Sequence, residues 1–336
     1  MIHVGVIGYG YWGPNLVRNF VETPGSEVIA VTDKRAERLE IVKKRYPTVK
    51  TTTDHSEVLQ DPNINVIAIA TPVSSHYALA MEALKAGKHV LCEKPLASTS
   101  KESAELIAEA KRQDRVLMVD HTFVYTGAVR KIHDMVASGD LGEIYYYDSV
   151  RVNLGLFQHD VNVLWDLAVH DLSIINYVLG KQPIAVSATG VSHVAGQPEN
   201  IGYLTLFYEG SLIAHVHVNW MSPVKVRQTL IGGSKKMIVF DDLDPSEKIK
   251  VYDKGINLNA DPESVYQMLI SYRTGDMWAP QVDMTEALKT ESLHFIRCIE
   301  NGETPLTGGE AGHKVVQILE AATQSMHERG RTVELT

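Results

Sequence analysis

Two short polar stretches in this chain have the residue types and spacing of acid–base chemistry. The first is Cys92-Glu93-Lys94-Pro95, directly after a β-type run, His89-Val90-Leu91-Cys92. Proline restricts the residue before it toward extended geometry, so the Lys94 amine would leave the strand end in a fixed direction. A lysine held this way can serve as a base or a hydrogen-bond donor. It can equally be a solvated loop lysine, the commoner fate of that residue type. The second stretch is Leu164-Trp165-Asp166-Leu167-Ala168-Val169-His170-Asp171-Leu172. Asp166 and His170 are spaced i, i+4 and share one face of a helix, which Ser173 continues. A carboxylate beside an imidazole orients it and raises its basicity, as a general acid or base requires. A satisfied core pair or a surface ion pair would use the same two residue types.

Residues 3–14 suggest what these groups would work with. A β-type run ends in Gly8-x-Gly10-x-x-Gly13, enclosing Tyr11 and Trp12, and Pro14 follows where a helix would begin. In a dinucleotide-binding turn the first glycine permits the tight turn and the second admits the pyrophosphate. The third lets the helix pack against the strand, and proline suits a first helical turn. A second strand, residues 27–33, ends on Asp33, 20 positions beyond Gly13. A carboxylate there accepts from both hydroxyls of an adenosine ribose, which favours NAD over NADP. Lys34 and Arg35 beside it leave NADP open. Next to the positive ring of an oxidised nicotinamide, Lys94 would have a lowered pKa.

The elements that position these residues follow a changing rhythm. Strand and helix alternate at first: a helix at 35–45, a strand at 65–70 leading into Thr71-Pro72, and a helix capped by Ser74 or Ser75 and closed by Gly87. A strand follows at 89–92, then the capping box Thr99-x-x-Glu102 opens a helix, and a sixth strand lies at 116–119. This is the pattern of a doubly wound parallel sheet, and it stops near residue 121. Helices at 127–138 and 162–179 flank a strand at 143–152. Short strands recur at 184–191, 203–208, 211–220, 226–231, 237–240 and 249–252, and helices at 285–300 and 311–328 close the chain. The predicted class is α/β: a Rossmann domain over 1–121 and an α+β domain over 122–336 with an open, mostly antiparallel or mixed sheet. Ligands of such parallel sheets sit beyond the carboxyl ends of the strands, so the second domain is expected to cover that edge.

Other residues fall near the expected site. His76 could reach the dinucleotide or be a helix N-terminal histidine without a role. Tyr11 and Trp12 could flank the nicotinamide or pack structurally. His121, Thr122 and Tyr125 follow the sixth strand, while Arg151, Asn153, Phe157, Gln158 and Asp160 lead to the Asp166 helix, where substrate selection is expected. His215-x-His217 reads as a sheet face, Cys92 as a small buried hydrophobe, and no third ligand accompanies His170-Asp171 to make a metal site.

The bulk properties exclude several classes. The 336 residues are 44% hydrophobic and 22% charged, enough for two cores. A net charge of −9 argues against general nucleic-acid binding. No apolar run reaches membrane-spanning length. With only two distant cysteines and no apparent export signal, the expected location is the cytoplasm.

Taken together, Gly8-x-Gly10-x-x-Gly13, Thr71-Pro72 with His76, Glu93-Lys94-Pro95 and Asp166-x-x-x-His170 resemble the glucose–fructose oxidoreductase, inositol dehydrogenase and MocA family over nearly the whole chain. The resemblance implies a Rossmann domain followed by an open-sheet domain that binds substrate and builds homodimers or homotetramers. It also implies a catalytic group of Lys94, Asp166 and His170. Tyr11-Trp12 and the stretch at 153–158 look like the branch that acts on nucleotide sugars, similar to UDP-N-acetylglucosamine 3-dehydrogenases of amino-sugar synthesis. Dehydrogenation of a free sugar or an inositol is the alternative. NAD-dependent glycoside cleavage and a non-enzymatic cofactor-dependent sensor stand further off.

Overall fold

The computed structural model describes residues 1–155, 161–253, 255–257, 271–273 and 275–335. The chain forms two compact units, one of Met1–Thr126 with Thr285–Glu320, the other of Gly127–Met284 with Ala321–Thr336.

The first unit opens with β1 (Ile2–Ile7), α1 (Gly13–Glu22), β2 (Ser26–Thr32), α2 (Ala36–Arg45) and β3 (Lys50–Thr52). It continues with α3 (His55–Leu59), β4 (Val66–Ile69), α4 (His76–Lys85), β5 (His89–Glu93), α5 (Ser100–Gln113) and β6 (Leu117–Asp120). The strands form one sheet in the order β3-β2-β1-β4-β5-β6, with every pairing parallel. Strands covered on both faces must be apolar throughout, and β4 and β6 are buried at every residue. The strand order reverses between β1 and β4, the point at which such sheets open a crevice for ligands. Thr99 accepts from the Glu102 amide at 3.1 Å, as a capping residue does at the start of a helix. The Glu102 carboxylate reaches back to the Ser98 amide.

The second unit contains α6 (Gly127–Ala137), β7 (Ile144–Leu154), α7 (Val169–Leu179), β8 (Ala185–Val191), β9 (Ile201–Phe207) and β10 (Ile213–Asn219). Strands β11 (Met221–Gly233), β12 (Met237–Asp241), β13 (Ile249–Tyr252), β14 (Gly255–Asn257), β15 (Ser271–Arg273) and β16 (Met277–Trp278) follow. After them in the chain, α8 (Ala287–Asn301) and most of α9 (Gly309–His327) belong to the first unit, and the end of α9 and β17 (Val333–Glu334) to the second. Nine strands pair in the order β16-β13-β12-β11-β7-β10-β9-β8-β17. Among these described pairings only β7 with β10 is parallel. Burial alternates along β10, so one sheet face is covered and the other is open.

Two expectations change. The second domain is not an unbroken 122–336, because residues 285–320 return to the first unit. Phe295 of α8 packs edge-on against Phe20 of α1, with ring centroids 6.4 Å apart. The Val119 amide donates to the Thr307 carbonyl at 2.8 Å. Apolar area buried against the parallel sheet outweighs continuity along the chain. The helix expected over 162–179 is also not uniform: Leu164–Ala168 is a π-helical turn leading into α7.

Candidate active site

In the first unit, the glycines of the turn after β1 each have a distinct steric reason. Gly8 has φ +98°, and a Cβ there would stand 2.4 Å from the Ala70 carbonyl oxygen. A Cβ on Gly13 would lie 2.2 Å from the Gly8 carbonyl oxygen, so only glycine lets α1 start this close to the turn. At Gly10 the nearest atom is a guanidinium nitrogen of Arg35 at 3.5 Å, which leaves open space over the backbone. That is the room a pyrophosphate needs at a helix N-terminus.

Asp33 follows β2 at the edge of the same space. Its carboxylate accepts from the Tyr9 amide at 2.7 Å, the Arg35 amide at 2.9 Å and the Arg35 guanidinium at 3.0 Å on each oxygen. Burial works to raise its pKa, but these hydrogen bonds outweigh it and hold the group below the usual carboxylate range. A cavity of about 920 Å³ opens here, lined by Gly8, Gly10, Tyr11, Trp12, Asp33, Thr71, Pro72, Glu93 and Lys94 among others. Its size suits a dinucleotide. Nine of the predicted dinucleotide residues therefore converge on one space.

His76 does not join them. Its ring is 1% exposed, with Nδ1 2.8 Å from the Pro95 carbonyl and Nε2 2.8 Å from the Thr71 carbonyl. Burial lowers its pKa, partly offset by these two contacts. The imidazole links the Thr71-Pro72 turn to the Lys94-Pro95 turn, both of which shape the cavity.

The ends of β5 and β6 carry paired acids. Glu93 and Asp120 are register partners on adjacent parallel strands, and the Lys94 amide donates to Glu93. The Trp12 indole N–H donates to Asp120 Oδ2 at 2.6 Å, and the Thr122 hydroxyl donates to Asp120 Oδ1. Trp12, expected either to flank the nicotinamide or to pack structurally, ties the glycine turn to β6. Thr122 spends its hydroxyl on that same carboxylate. Tyr125 is 2% exposed, its hydroxyl 3.1 Å from Thr307 Oγ1, so the expected substrate contact gives way to a core position. His121 is 1% exposed, and burial lowers its pKa to about 4.

In the second unit, Asp166 lies on the π-helical turn, a distortion that recurs at functional sites. Its Oδ2 accepts from the Trp220 indole N–H at 2.9 Å. Trp220 is 1% exposed and packs against Gly155, where a Cβ would approach its ring to 2.5 Å. The sequence reading missed Trp220, although a tryptophan closing an apolar strand must bury its N–H with a partner. His170 is half-buried at the first turn of α7, and Ser173 Oγ donates to its carbonyl at 2.8 Å.

Arg151 requires a correction. It faces α7 from β7 and donates to Asp171 at 2.6 Å, and Ser149 Oγ donates to the same carboxylate at 2.6 Å. Arg151 and Asp171 side chains are 5% and 3% exposed. A guanidinium keeps its charge when buried, so this depth is tolerated only because the charge is paired. Arg151 therefore anchors the residue next to His170 rather than presenting its charge to a substrate. Asn153 is half-buried two residues further along β7. Phe157, Gln158 and Asp160 lie outside the described residues.

No group of three or more His, Cys, Asp or Glu among the described residues could hold a metal ion. No helix among them is long and apolar enough to cross a membrane. Residues 2–121 match the Gfo/Idh/MocA oxidoreductase family's NAD-binding Rossmann fold, and residues 133–335 match its C-terminal alpha/beta domain. The chain belongs to the Gfo/Idh/MocA oxidoreductase family. Its cofactor is NAD, which the open Gly10 backbone, the Asp33 carboxylate and the cavity they line all fit. This Gfo/Idh/MocA protein is 24% identical over 352 residues to myo-inositol 2-dehydrogenase of Thermotoga maritima, covering 99% of this chain and 98% of that one. Its fold is similar to UDP-N-acetylglucosamine 3-dehydrogenase GnnA from Acidithiobacillus ferrooxidans, with TM-score 0.81 and 23% identity over 97% and 99% of the two chains. It is also similar to a levoglucosan dehydrogenase solved with NADH and levoglucosan, at TM-score 0.84 and 20% identity over 99% of each chain.

Proposed function

We propose that this enzyme oxidises a secondary hydroxyl of a nucleotide sugar, at carbon 3 of a pyranose such as UDP-N-acetylglucosamine, to the 3-oxo sugar. The carrying observation is Lys94, which lines the cavity that fits NAD. His170 takes the hydroxyl proton on its imidazole, and Asp166, held by Trp220, orients that ring. Lys94 hydrogen-bonds the substrate oxygen and stabilises the developing alkoxide. When bound, NAD supplies the hydride acceptor. The nucleotide-sugar assignment is supported by Tyr11-Trp12 in the glycine turn and by the likeness to GnnA.

A free sugar or an inositol is the second reading, favoured by the inositol dehydrogenase relative. An assay of NADH formation over UDP-sugars, free sugars and inositols, repeated with added UDP, separates the two. Turnover of a UDP-sugar with competitive inhibition by UDP supports the proposal. Turnover of inositol or a free sugar with no effect of UDP overturns it in favour of the second reading.

The proposal includes a homo-oligomer built through the second unit's sheet. Tyr203, Ile213 and His215 lie on its open face, and the rings of Tyr203 and His217 stack at 4.4 Å. Light scattering tests this: a dimer or tetramer supports it, and a monomer at micromolar concentration does not.

A further inference from the structure

A third acid completes the Glu93–Asp120 pair. Glu291 of α8 is 0% exposed inside the first unit, beside the Asp120 carboxyl. Among the described residues no N–H or O–H donates to either of its carboxyl oxygens. The nearby Thr122 hydroxyl is already given to Asp120. Two carboxyl groups whose oxygens face each other without a donor can be held together only by a proton shared between them. Asp120 is the acceptor of the two, since it already receives the Trp12 indole N–H at 2.6 Å and the Thr122 hydroxyl.

We propose that Glu291 is a positioning residue for the cofactor turn: it carries a proton, donates it to Asp120, and so fixes the carboxylate that holds Trp12. With Glu291 as donor, Asp120 receives three hydrogen bonds, from α8, from the turn after β6 and from the glycine turn. An ionised Glu291 would instead repel Asp120 in a dry interior with nothing to compensate it. Burial, Asp120 and Glu93 together raise the pKa of Glu291 well above the usual carboxyl value, against a smaller lowering by the Thr122 hydroxyl. Burial and Asp120 also raise Glu93, against the pull of Lys94. Tyr125 also faces Glu291, is itself raised by burial and adds no positive charge. The glycine turn at the start of the chain is therefore set by a side chain from its last third. The inference concerns NAD binding alone and does not depend on which hydroxyl compound is oxidised.

The full-length chain is compared with Glu291→Gln and Glu291→Ala for NAD affinity and for the infrared band of protonated carboxylic acids. The amide of Glu291→Gln still donates to Asp120, so its NAD dissociation constant should stay within about twofold of wild type. Its spectrum near pH 8 should lose the intensity of one protonated carboxyl. Glu291→Ala removes the donor and should weaken NAD about tenfold or more. Should the alanine variant fail to fold, Glu291→Gln and its infrared band decide the matter alone. An unchanged band, or a Glu291→Gln chain that loses NAD affinity about tenfold, overturns the proposal.

Discussion

Arg151 and Asp171 close on each other at 2.6 Å inside the second unit, one residue along from His170. Removing one partner of such a pair leaves an uncompensated buried charge, at a cost of about 3–5 kcal/mol. Arg151→Ala should lower stability by that order in denaturant unfolding. Arg151→Met combined with Asp171→Leu should recover much of the loss, because the cost arises from orphaning a charge rather than from losing the attraction. A single variant within about 0.5 kcal/mol of wild type would show that Arg151 does not anchor α7.

Lys94→Ala and His170→Ala should each lower turnover by about 10² to 10⁴, the usual contribution of positioned proton transfer. NAD affinity, measured by titration, should stay close to wild type in both. Near-normal turnover in both variants would sink their assigned roles.

Asp33→Ala removes the proposed acceptor for the ribose hydroxyls, whose charge-assisted hydrogen bonds would be worth about 1.5–3 kcal/mol. NAD affinity should fall accordingly. Arg35, freed from its two 3.0 Å contacts, becomes available to a 2′-phosphate, so the preference for NAD over NADP should narrow. Equal losses for the two cofactors would contradict this.

His121 gives a pH signature. Its folded-state pKa is lowered to about 4 by burial, below the unfolded value of about 6.5. Between those values the unfolded chain binds a proton that the native chain does not. His121 therefore costs stability progressively as pH falls from about 6.5 toward 4. His121→Gln lacks this term, so its melting temperature relative to wild type should rise as pH falls through that window and stay constant above it. Scanning calorimetry at half-unit pH steps reads this directly; a pH-independent difference would rule out a buried neutral imidazole.

The glycine turn, Asp33 and Lys94 were legible in the sequence because each is fixed by residues a few positions away. A strand must end, and a turn or proline must follow, so the direction of the chain is set locally. Arg151 and Tyr125 misled because their polar groups looked available, while Asp171 and Thr307, which consume them, come from other elements. Trp220 and Asp166 are 54 residues apart, and no local pattern announces a bond of that span. The π-helical turn was hidden for a different reason. Apolar spacing over a single turn is almost the same whether the backbone advances as an α- or a π-helix, and only the hydrogen-bond pattern separates them.

The return of residues 285–320 to the first unit bears on how the protein is made. A ribosome that has delivered the whole Rossmann sheet has not yet delivered Phe295, which covers α1, or Thr307, which bonds to β6. Domains that are contiguous in sequence can fold in order of synthesis. Here a domain begun by residues 1–126 is finished only when residues 285–320 arrive, and its apolar flank stays uncovered until then.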